Sequence, residues 1–310
     1  MPKTINRRKF FKDTSLSAAG ILLGSSLAGC TSASEPGTSS YDIMKDVLKY
    51  RKFDAHCHPV PDLGKQIAIA DKLGITRMQI SEPVTNFSGK DPEGPEQVRK
   101  NNDKVLKALK EYPDRYIGFF TLNPIYQKES LEEMKRCVDL GMVGYKGYTQ
   151  VKINDPLYYP IIEKLSDLKM LVYMHAFCQL GMGGYRMKYD TGFLPNTTIP
   201  EDMVDAAKRY PETTFHFAHI GGGGDWEYEC KSFKNYPNIH VDTGGSNNEE
   251  NMIDFAIRYL GEDRLFFGTD SCYEANVAKI LASNTTEAQK KKIFFENYNN
   301  VLRKGGYHVA

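Results

Sequence analysis

The chain has 310 residues, enough for one large barrel or for two domains of ordinary size. Hydrophobic residues make up 41% of the sequence and charged residues 25%, which excludes a wholly disordered chain and a collagen-like chain. Lys and Arg total 40 against 39 Asp and Glu, so the formal net charge is +1. This balance argues against a nucleic-acid-binding protein, because such a protein needs a concentrated basic surface.

The N-terminal segment has the layout of an export signal. Arg7 and Arg8 precede an apolar run over residues 16–27, which is too short for a membrane span of roughly 20 residues. The paired arginines resemble a twin-arginine signal, and Leu27-Ala28-Gly29-Cys30 resembles the lipobox of bacterial lipoproteins. The resemblance implies export by the twin-arginine route and a lipid anchor at Cys30, on a bacterial membrane facing the periplasm or the cell surface. The alternative is a disordered tail in which Cys30 has no role.

These features divide the chain into three segments. Residues 1–29 form the predicted signal, and residues 30–40 predict a flexible tether because they are rich in Ser and Thr. Residues 41–310 predict a single folded domain. The chain has six Cys but no Cys-x-x-Cys pair, which argues against a structural zinc knuckle.

Short apolar segments alternate with amphipathic helical patterns from residue 50 onward. Strands that are buried on both faces are typically apolar throughout, and a repeated strand–helix order indicates right-handed βαβ units with a parallel sheet. Eight such units in a domain of this length predict an α/β fold of the (β/α)8 TIM barrel type, with a doubly wound open sheet as the competing fold. The predicted strands are Lys52–His56, Ile75–Ser81, Tyr116–Leu122, Val143–Gly147, Met170–His175, Thr214–His219, Ile239–Asp242 and Leu265–Gly268.

Polar residues occur where four of the predicted strands end. His56 and His58 point to the same side, because residues two apart in a strand face the same way. His175, His219 and Asp270 follow the fifth, sixth and eighth strands. The carboxyl ends of barrel strands meet at the face where active sites are built. The five side chains together predict a metal site there, although each His alone is equally compatible with a structural role in the core.

The order of these motifs resembles the amidohydrolase superfamily. Within it, the chain is similar to the amidohydrolase-2 family, which includes decarboxylases of the aminocarboxymuconate-semialdehyde type and lactone hydrolases. The resemblance extends from about Lys52 to Arg303. The matching motifs are His56-Cys57-His58, His175, His219-Ile220-Gly221-Gly222 and Gly268-Thr269-Asp270, with further matches over residues 141–146 and 296–298.

The resemblance implies a mononuclear metal site and its chemistry. His56, His58, His175 and Asp270 are the implied ligands of one divalent ion, most plausibly Zn²⁺, with Mn²⁺, Fe²⁺ or Co²⁺ as alternatives. Asp270 is also the expected general base that takes a proton from a metal-bound water. His219 is expected beside the metal as a catalytic residue, either as a hydrogen-bond donor to water or substrate or as a further ligand.

Three residues are expected to contact the substrate. Lys146, at the end of the fourth strand, either binds a substrate carboxylate, bridges two metals after carboxylation, or forms a structural salt bridge. Tyr185 and Arg186 lie in the long segment between the fifth strand and residue 200, where they are placed to meet an anionic substrate.

Two further residues are given structural roles. His216 has the opposite strand parity to His219, so it is expected to point outward into the helix layer. Asp242, on the seventh strand, is expected either to make a structural hydrogen bond or to reach the rim of the pocket.

The sequence therefore predicts an enzyme, with three functional hypotheses. The first is a metal-dependent hydrolase in which a metal-bound water attacks the carbonyl of a small lactone, amide or ester-like substrate. The second is a metal-dependent, non-oxidative decarboxylase of an unsaturated or aromatic carboxylic acid, and the third is a non-enzymatic surface lipoprotein. The expected partners are a small-molecule substrate that can carry a carboxylate and a membrane reached through the lipid anchor only. No nucleic acid is expected, and a homo-oligomer is left open.

Overall fold

The computed structural model describes residues 42–84, 93–176, 196–220, 226–245, 249 and 251–309. The predicted signal and tether, Cys30, Tyr185 and Arg186 lie outside the described residues. Residues Ile43–Ala310 form one compact unit. Among the described residues, every helix is too short or too polar to cross a membrane.

Eight parallel strands form the centre of this unit, in the spatial order of the chain. The last strand returns to the first, because Ala55 N–H donates to the carbonyl of Phe267 at 2.8 Å. The sheet is therefore a closed barrel, and the predicted (β/α)8 TIM barrel is confirmed. The strands are β1 (Lys52–Cys57), β2 (Ile75–Ile80), β3 (Tyr116–Phe120), β4 (Gly144–Gly147), β5 (Leu171–Met174), β6 (Phe215–Phe217), β7 (Ile239–Asp242) and β8 (Leu265–Phe266).

Helices alternate with the strands and cover the barrel. Local signals set several of their ends: Asp62 accepts a hydrogen bond from the Lys65 N–H, and Thr286 forms a capping box with Gln289. A five-residue π-helical segment, Lys292–Glu296, leads into the last helix. The α-helices in the described residues are α1 (Ile43–Lys49), α2 (Leu63–Lys72), α3 (Pro95–Glu111), α4 (Gln127–Asp139), α5 (Tyr159–Asp167), α6 (Pro200–Arg209), α7 (Trp226–Phe233), α8 (Met252–Leu260), α9 (Tyr273–Leu281), α10 (Glu287–Lys291) and α11 (Asn297–Lys304).

The apolar core has two layers because each strand is buried on both faces. Side chains such as Met78 and Ile80 on β2 pack outward in the cluster shared with the helices. Phe53, Phe119 and Tyr173 pack inward in a second cluster that fills the barrel. This double burial explains why the strands are apolar throughout in the sequence.

The prediction for His216 is wrong. Its ring lies inside the barrel, where it stacks on Tyr173 with 3.8 Å between the ring centroids. The parity argument fails because β6 ends at Phe217 and His219 has a positive φ of 40°. The alternation of side chains holds only along an extended strand, so counting back from His219 gives the wrong face.

Candidate metal centre

Three of the predicted ligands meet at the carboxyl-terminal rim of the barrel. Oδ1 of Asp270 lies 3.4 Å from Nε2 of His56 and 3.4 Å from Nε2 of His58. The donor atoms of these three residues all lie within 4.8 Å of one another. Two imidazole nitrogens and one carboxylate oxygen therefore converge on a common point, although the residues come from opposite ends of the chain.

Hydrogen bonds between β1 and the segment after β8 hold this arrangement. The His56 carbonyl accepts from the N–H of Asp270 at 2.7 Å and from the N–H of Thr269 at 3.1 Å. The buried carboxyl group of Asp54 accepts from the His56 N–H at 3.0 Å, from the Thr269 N–H at 2.9 Å and from the Thr269 hydroxyl at 2.5 Å. Asp270 itself has a φ of +47°, an uncommon backbone conformation that these bonds maintain.

The Nδ1 atoms of His56 and His58 each have a hydrogen-bond partner. Nδ1 of His58 lies 2.8 Å from the carbonyl oxygen of Ser81, and Nδ1 of His56 lies 3.2 Å from Oδ2 of Asp242. Carbonyl and carboxylate oxygens only accept, so each Nδ1 carries the proton. Each Nε2 is then an unprotonated donor atom that faces Asp270, which is the tautomer that a metal-binding imidazole requires.

Asp242 is the centre of a buried hydrogen-bond network next to His56. Besides His56, its carboxylate accepts from Nε2 of His216 at 2.8 Å and from the Tyr173 hydroxyl at 3.1 Å. The backbone N–H groups of His219 and Gly244 also donate to it, at 3.2 and 2.7 Å. Burial alone would raise the pKa of Asp242, but His56 and His216 hold it well below its usual range.

The expected structural bond of Asp242 is therefore present, but the orienting role toward His56 was missed. The one signal in the sequence is the position of Asp242 at the end of β7, the same strand-end position as the candidate ligands. Asp54 was also missed, because only the closure of β8 onto β1 brings Thr269 to its carboxylate.

The electrostatics keep His56 neutral and Asp270 ionised. Burial, together with the charge of Lys146, lowers the pKa of His56 to about 3. Burial alone would raise the pKa of Asp270, but the neighbouring imidazoles of His56 and His58 hold it well below its usual range. Neutral imidazoles and an ionised carboxylate are the protonation states in which these groups bind a metal.

His175 and His219 lie at the same rim, beside the group of three. The His219 ring stacks on His56 with 5.6 Å between the centroids, and the His175 ring meets His219 edge to face at 5.5 Å. Burial lowers the pKa of both imidazoles, so both are neutral at pH 7. The donor set fits a borderline divalent cation, because it combines neutral imidazoles in the binding tautomer with one ionised carboxylate.

Lys146 projects from β4 into the barrel toward the same point. Its Nζ lies 3.5 Å from Nε2 of His56 and 3.3 Å from the centroid of the Tyr173 ring. The side chain is fully buried, and burial lowers its pKa to about 7. At neutral pH the amine is therefore partly protonated; its buried ammonium form interacts strongly with an approaching anion, and that anion in turn favours the protonated form.

Comparison with known proteins identifies the family and its relatives. The amidohydrolase family model matches residues 53–297. A 2-amino-3-carboxymuconate-6-semialdehyde decarboxylase of Dictyostelium discoideum is 23% identical over 277 residues, which cover 80% of this chain and 76% of that protein.

Solved structures of decarboxylases share the fold. The 2,6-dihydroxybenzoate decarboxylase from Rhizobium matches with a TM-score of 0.65 and 21% identity, covering 82% of this chain and 99% of that chain. A dihydroxybenzoic acid decarboxylase from Polaromonas sp. JS666, with bound manganese and the inhibitor 2-nitroresorcinol, matches with a TM-score of 0.63 and 19% identity, covering 82% and 97%.

The expectation that the chain hydrolyses a lactone, amide or ester-like substrate is wrong. The curated relative and these solved structures are decarboxylases, which agrees with the second functional hypothesis instead. The hypothesis failed because its residues suit either reaction: imidazoles and a carboxylate around a metal support both hydrolysis and decarboxylation. The match over residues 53–297 also rules out the non-enzymatic hypothesis, and the chain is an enzyme that belongs to the amidohydrolase family.

Proposed function

We propose that the protein is a metal-dependent, non-oxidative decarboxylase of a small unsaturated or aromatic carboxylic acid. The observation that carries this proposal is the convergence of His56, His58 and Asp270 at the rim, with the Lys146 ammonium group 3.5 Å from His56. The similarity to decarboxylases supports it.

His56, His58, His175 and Asp270 are the residues that would hold the metal. A divalent ion held by these residues would supply Lewis-acid polarisation of the substrate. We propose Zn²⁺ or Mn²⁺, since both suit imidazole and carboxylate ligands and one structural relative contains manganese.

Lys146 is the proposed partner of the substrate carboxylate. Its ammonium group is buried beside the candidate ligands, and a buried point charge attracts a carboxylate more strongly than an exposed one does. Such a contact orients the carboxylate at the rim. The stacked ring of His219 lies beside His56, where we propose that it hydrogen-bonds a substrate oxygen.

The reaction breaks one C–C bond and releases CO₂, while the electron pair stays on the ring or alkene carbon. One proton must then reach that carbon, so the balance is carboxylate plus H⁺ giving CO₂ and the product with a C–H bond in place of the carboxylate. We assign this proton transfer to Oδ2 of Asp270, because Oδ1 faces the two imidazoles. The ionised carboxylate would take this proton from solvent water and pass it to the carbon.

Incubation with aromatic and unsaturated carboxylic acids tests the function. The purified protein, with its metal content measured, is mixed with each acid in D₂O, and CO₂ and product are quantified. We expect one CO₂ per product and one deuterium at the carbon that carried the carboxylate. The matched control is His58→Ala, which removes a ligand at the rim and should abolish CO₂ release. Turnover without CO₂, or with net consumption of water, contradicts the proposal.

We also propose, from the sequence alone, that the protein is exported and lipid-anchored through Cys30. Residues 1–29 would act as the signal and residues 30–40 as the tether. Replacing Cys30 by Ser should move the protein from the membrane fraction to the soluble fraction. Replacing Arg7 and Arg8 by Lys should block export, and an unchanged distribution in both variants contradicts the proposal.

A further inference from the structure

Three buried polar side chains lie inside the barrel on the amino-terminal side of the metal centre. His216 on β6 and His240 on β7 are register partners on neighbouring strands, and Tyr298 comes from α11. All three pack around the ring of Phe266, with centroid distances of 5.1 Å for His216, 4.9 Å for His240 and 5.2 Å for Tyr298. The proposed reaction uses none of the three directly.

Each of these side chains has one polar atom without a hydrogen-bond partner in the described part of the chain. The atoms are Nδ1 of His216, Nδ1 of His240 and the hydroxyl of Tyr298. His216 and Tyr298 are fully buried, and His240 is 7% exposed. Buried polar atoms are almost always hydrogen-bonded, because losing their contact with water costs free energy that a partner must offset.

The protonation states of the two imidazoles follow from a contact in one case and from burial in the other. Nε2 of His216 lies 2.8 Å from the Asp242 carboxylate, which only accepts, so Nε2 carries the proton and Nδ1 is an acceptor. Burial lowers the pKa of His240 to about 3, so this ring is neutral and one of its two nitrogens is an acceptor. Nδ1 of His240 can therefore accept a hydrogen bond, while the Tyr298 hydroxyl supplies a donor.

We propose that one water molecule binds inside the barrel between His216, His240 and Tyr298. It donates a hydrogen bond to each Nδ1 and accepts one from the Tyr298 hydroxyl, and three hydrogen bonds are typical for a buried water. The rings of His216 and Tyr298 are neighbours, with 6.4 Å between their centroids, and a water can bridge polar atoms that are not in direct contact.

The water extends the network that orients a candidate metal ligand. Hydrogen bonds then run from Tyr298 through the water to His216, on to Asp242, and from Asp242 to Nδ1 of His56. By donating to Nδ1 of His216, the water favours the tautomer whose Nε2 proton is directed at Asp242. This inference rests on the barrel interior alone and holds whatever reaction the rim performs.

A high-resolution crystal structure of the full-length protein is the first test. We expect an ordered density peak at about 2.7–3.2 Å from both Nδ1 atoms and from the Tyr298 hydroxyl. The proposal is overturned if the three side chains are ordered and no peak lies between them, or if they bond to protein atoms instead.

The thermal stability of Tyr298→Phe is the second test, with Tyr145→Phe as the matched control. The buried Tyr145 hydroxyl lies 3.2 Å from the hydroxyl of Tyr158, so its removal deletes a known hydrogen bond and should lower the unfolding midpoint. If water binds Tyr298, Tyr298→Phe should lower the midpoint by a comparable amount. If the hydroxyl has no partner, its removal relieves a buried polar group and raises the midpoint or leaves it unchanged, which overturns the proposal.

Discussion

The backbone N–H of Asp270 donates a 2.7 Å hydrogen bond to the carbonyl oxygen of His56. Two candidate metal ligands are thus joined through their main chains, although 213 residues lie between them in the sequence. Their relative position follows from the closure of β8 onto β1 and does not depend on a bound ion. A site arranged in this way binds its metal without the cost of ordering the ligands.

Thr269→Val should weaken metal binding by loosening this junction. Valine keeps the shape of threonine but removes the hydroxyl that donates to Asp54 at 2.5 Å, so the buried carboxyl group loses one of its hydrogen-bond partners. We expect the dissociation constant of the metal to rise about 10-fold, as is usual for groups that support a ligand. Competition with a chromogenic chelator measures it. Thr269→Ser keeps the hydroxyl and should remain within about 2-fold of the original protein; equal losses in both variants would argue against a role for the hydroxyl.

Asp242→Asn should affect the metal site through the tautomer of His56. The amide replaces one carboxylate oxygen by an NH₂ donor, which must face either the Gly244 N–H or the ring N–H groups of His56 and His216, and it removes the negative charge that favours the Nδ1 proton of His56. Metal affinity should fall by about 10–100-fold. Tyr173→Phe is the control, because it removes only the hydroxyl that donates to the same carboxylate at 3.1 Å. A larger loss of affinity in the control than in Asp242→Asn would contradict this assignment.

The barrel and the rim positions of His56, His58 and Asp270 follow from local patterns in the sequence. Apolar runs mark the strands, and the place where a run ends decides which residues reach the rim. His216 shows the limit of this reasoning, because a positive φ at His219 breaks the alternation on which the parity argument depends.

Contacts between strands that are far apart in the chain leave no local pattern in the sequence. Asp54 meets Thr269 only after β8 has closed onto β1, and Asp242 meets His56 across the barrel interior. The choice between hydrolysis and decarboxylation is likewise absent from the motif, because both reactions use the same imidazoles and carboxylate. The similarity to decarboxylases, and not the spacing of the ligands, corrects that interpretation.

Lys146→Met should raise KM for the acid with little loss of metal binding. The substitution removes the buried ammonium group that we assign to the substrate carboxylate, and a loss of about 1.4 kcal/mol of binding corresponds to a 10-fold rise in KM. Metal affinity should be unchanged or higher, because a cation 3.5 Å from Nε2 of His56 is removed. A loss of metal in this variant would instead assign Lys146 to the metal site.

Removal of the metal should lower the unfolding temperature. An ion that binds only the folded protein stabilises it by about 4 kcal/mol at a thousand times its dissociation constant. Dialysis against a chelator, followed by calorimetry before and after Zn²⁺ or Mn²⁺ is returned, measures this shift. His58→Ala should show little shift on the same treatment. A midpoint that is unchanged by metal in the original protein would contradict a metal bound by these residues.

Lys52 gives the protein a measurable dependence of stability on pH, away from the metal centre. Its ammonium group donates to the carbonyl of Tyr50 at 2.8 Å and lies 4.9 Å from the centroid of the Phe294 ring, and the residue has no exposed surface. Burial lowers the pKa of Lys52 from 10.5 to about 8. The hydrogen bond to the Tyr50 carbonyl does not fully replace the hydration that the ammonium group loses on burial.

The sign of the effect follows from which state binds more protons. Below pH 8 both states carry the charge, and the folded state bears the cost of burying it. Between about pH 8 and 10.5 the folded protein releases the proton while the unfolded chain keeps it, so this contribution to stability increases with pH.

Other groups titrate in the same range, and a comparison with the Lys52→Met variant removes their contribution. The free energy of unfolding of the original protein, minus that of Lys52→Met, should rise by roughly 1–3 kcal/mol between pH 7 and pH 10.5. Denaturant unfolding at several pH values measures it, and a flat or falling difference would show that the buried amine keeps its ordinary pKa.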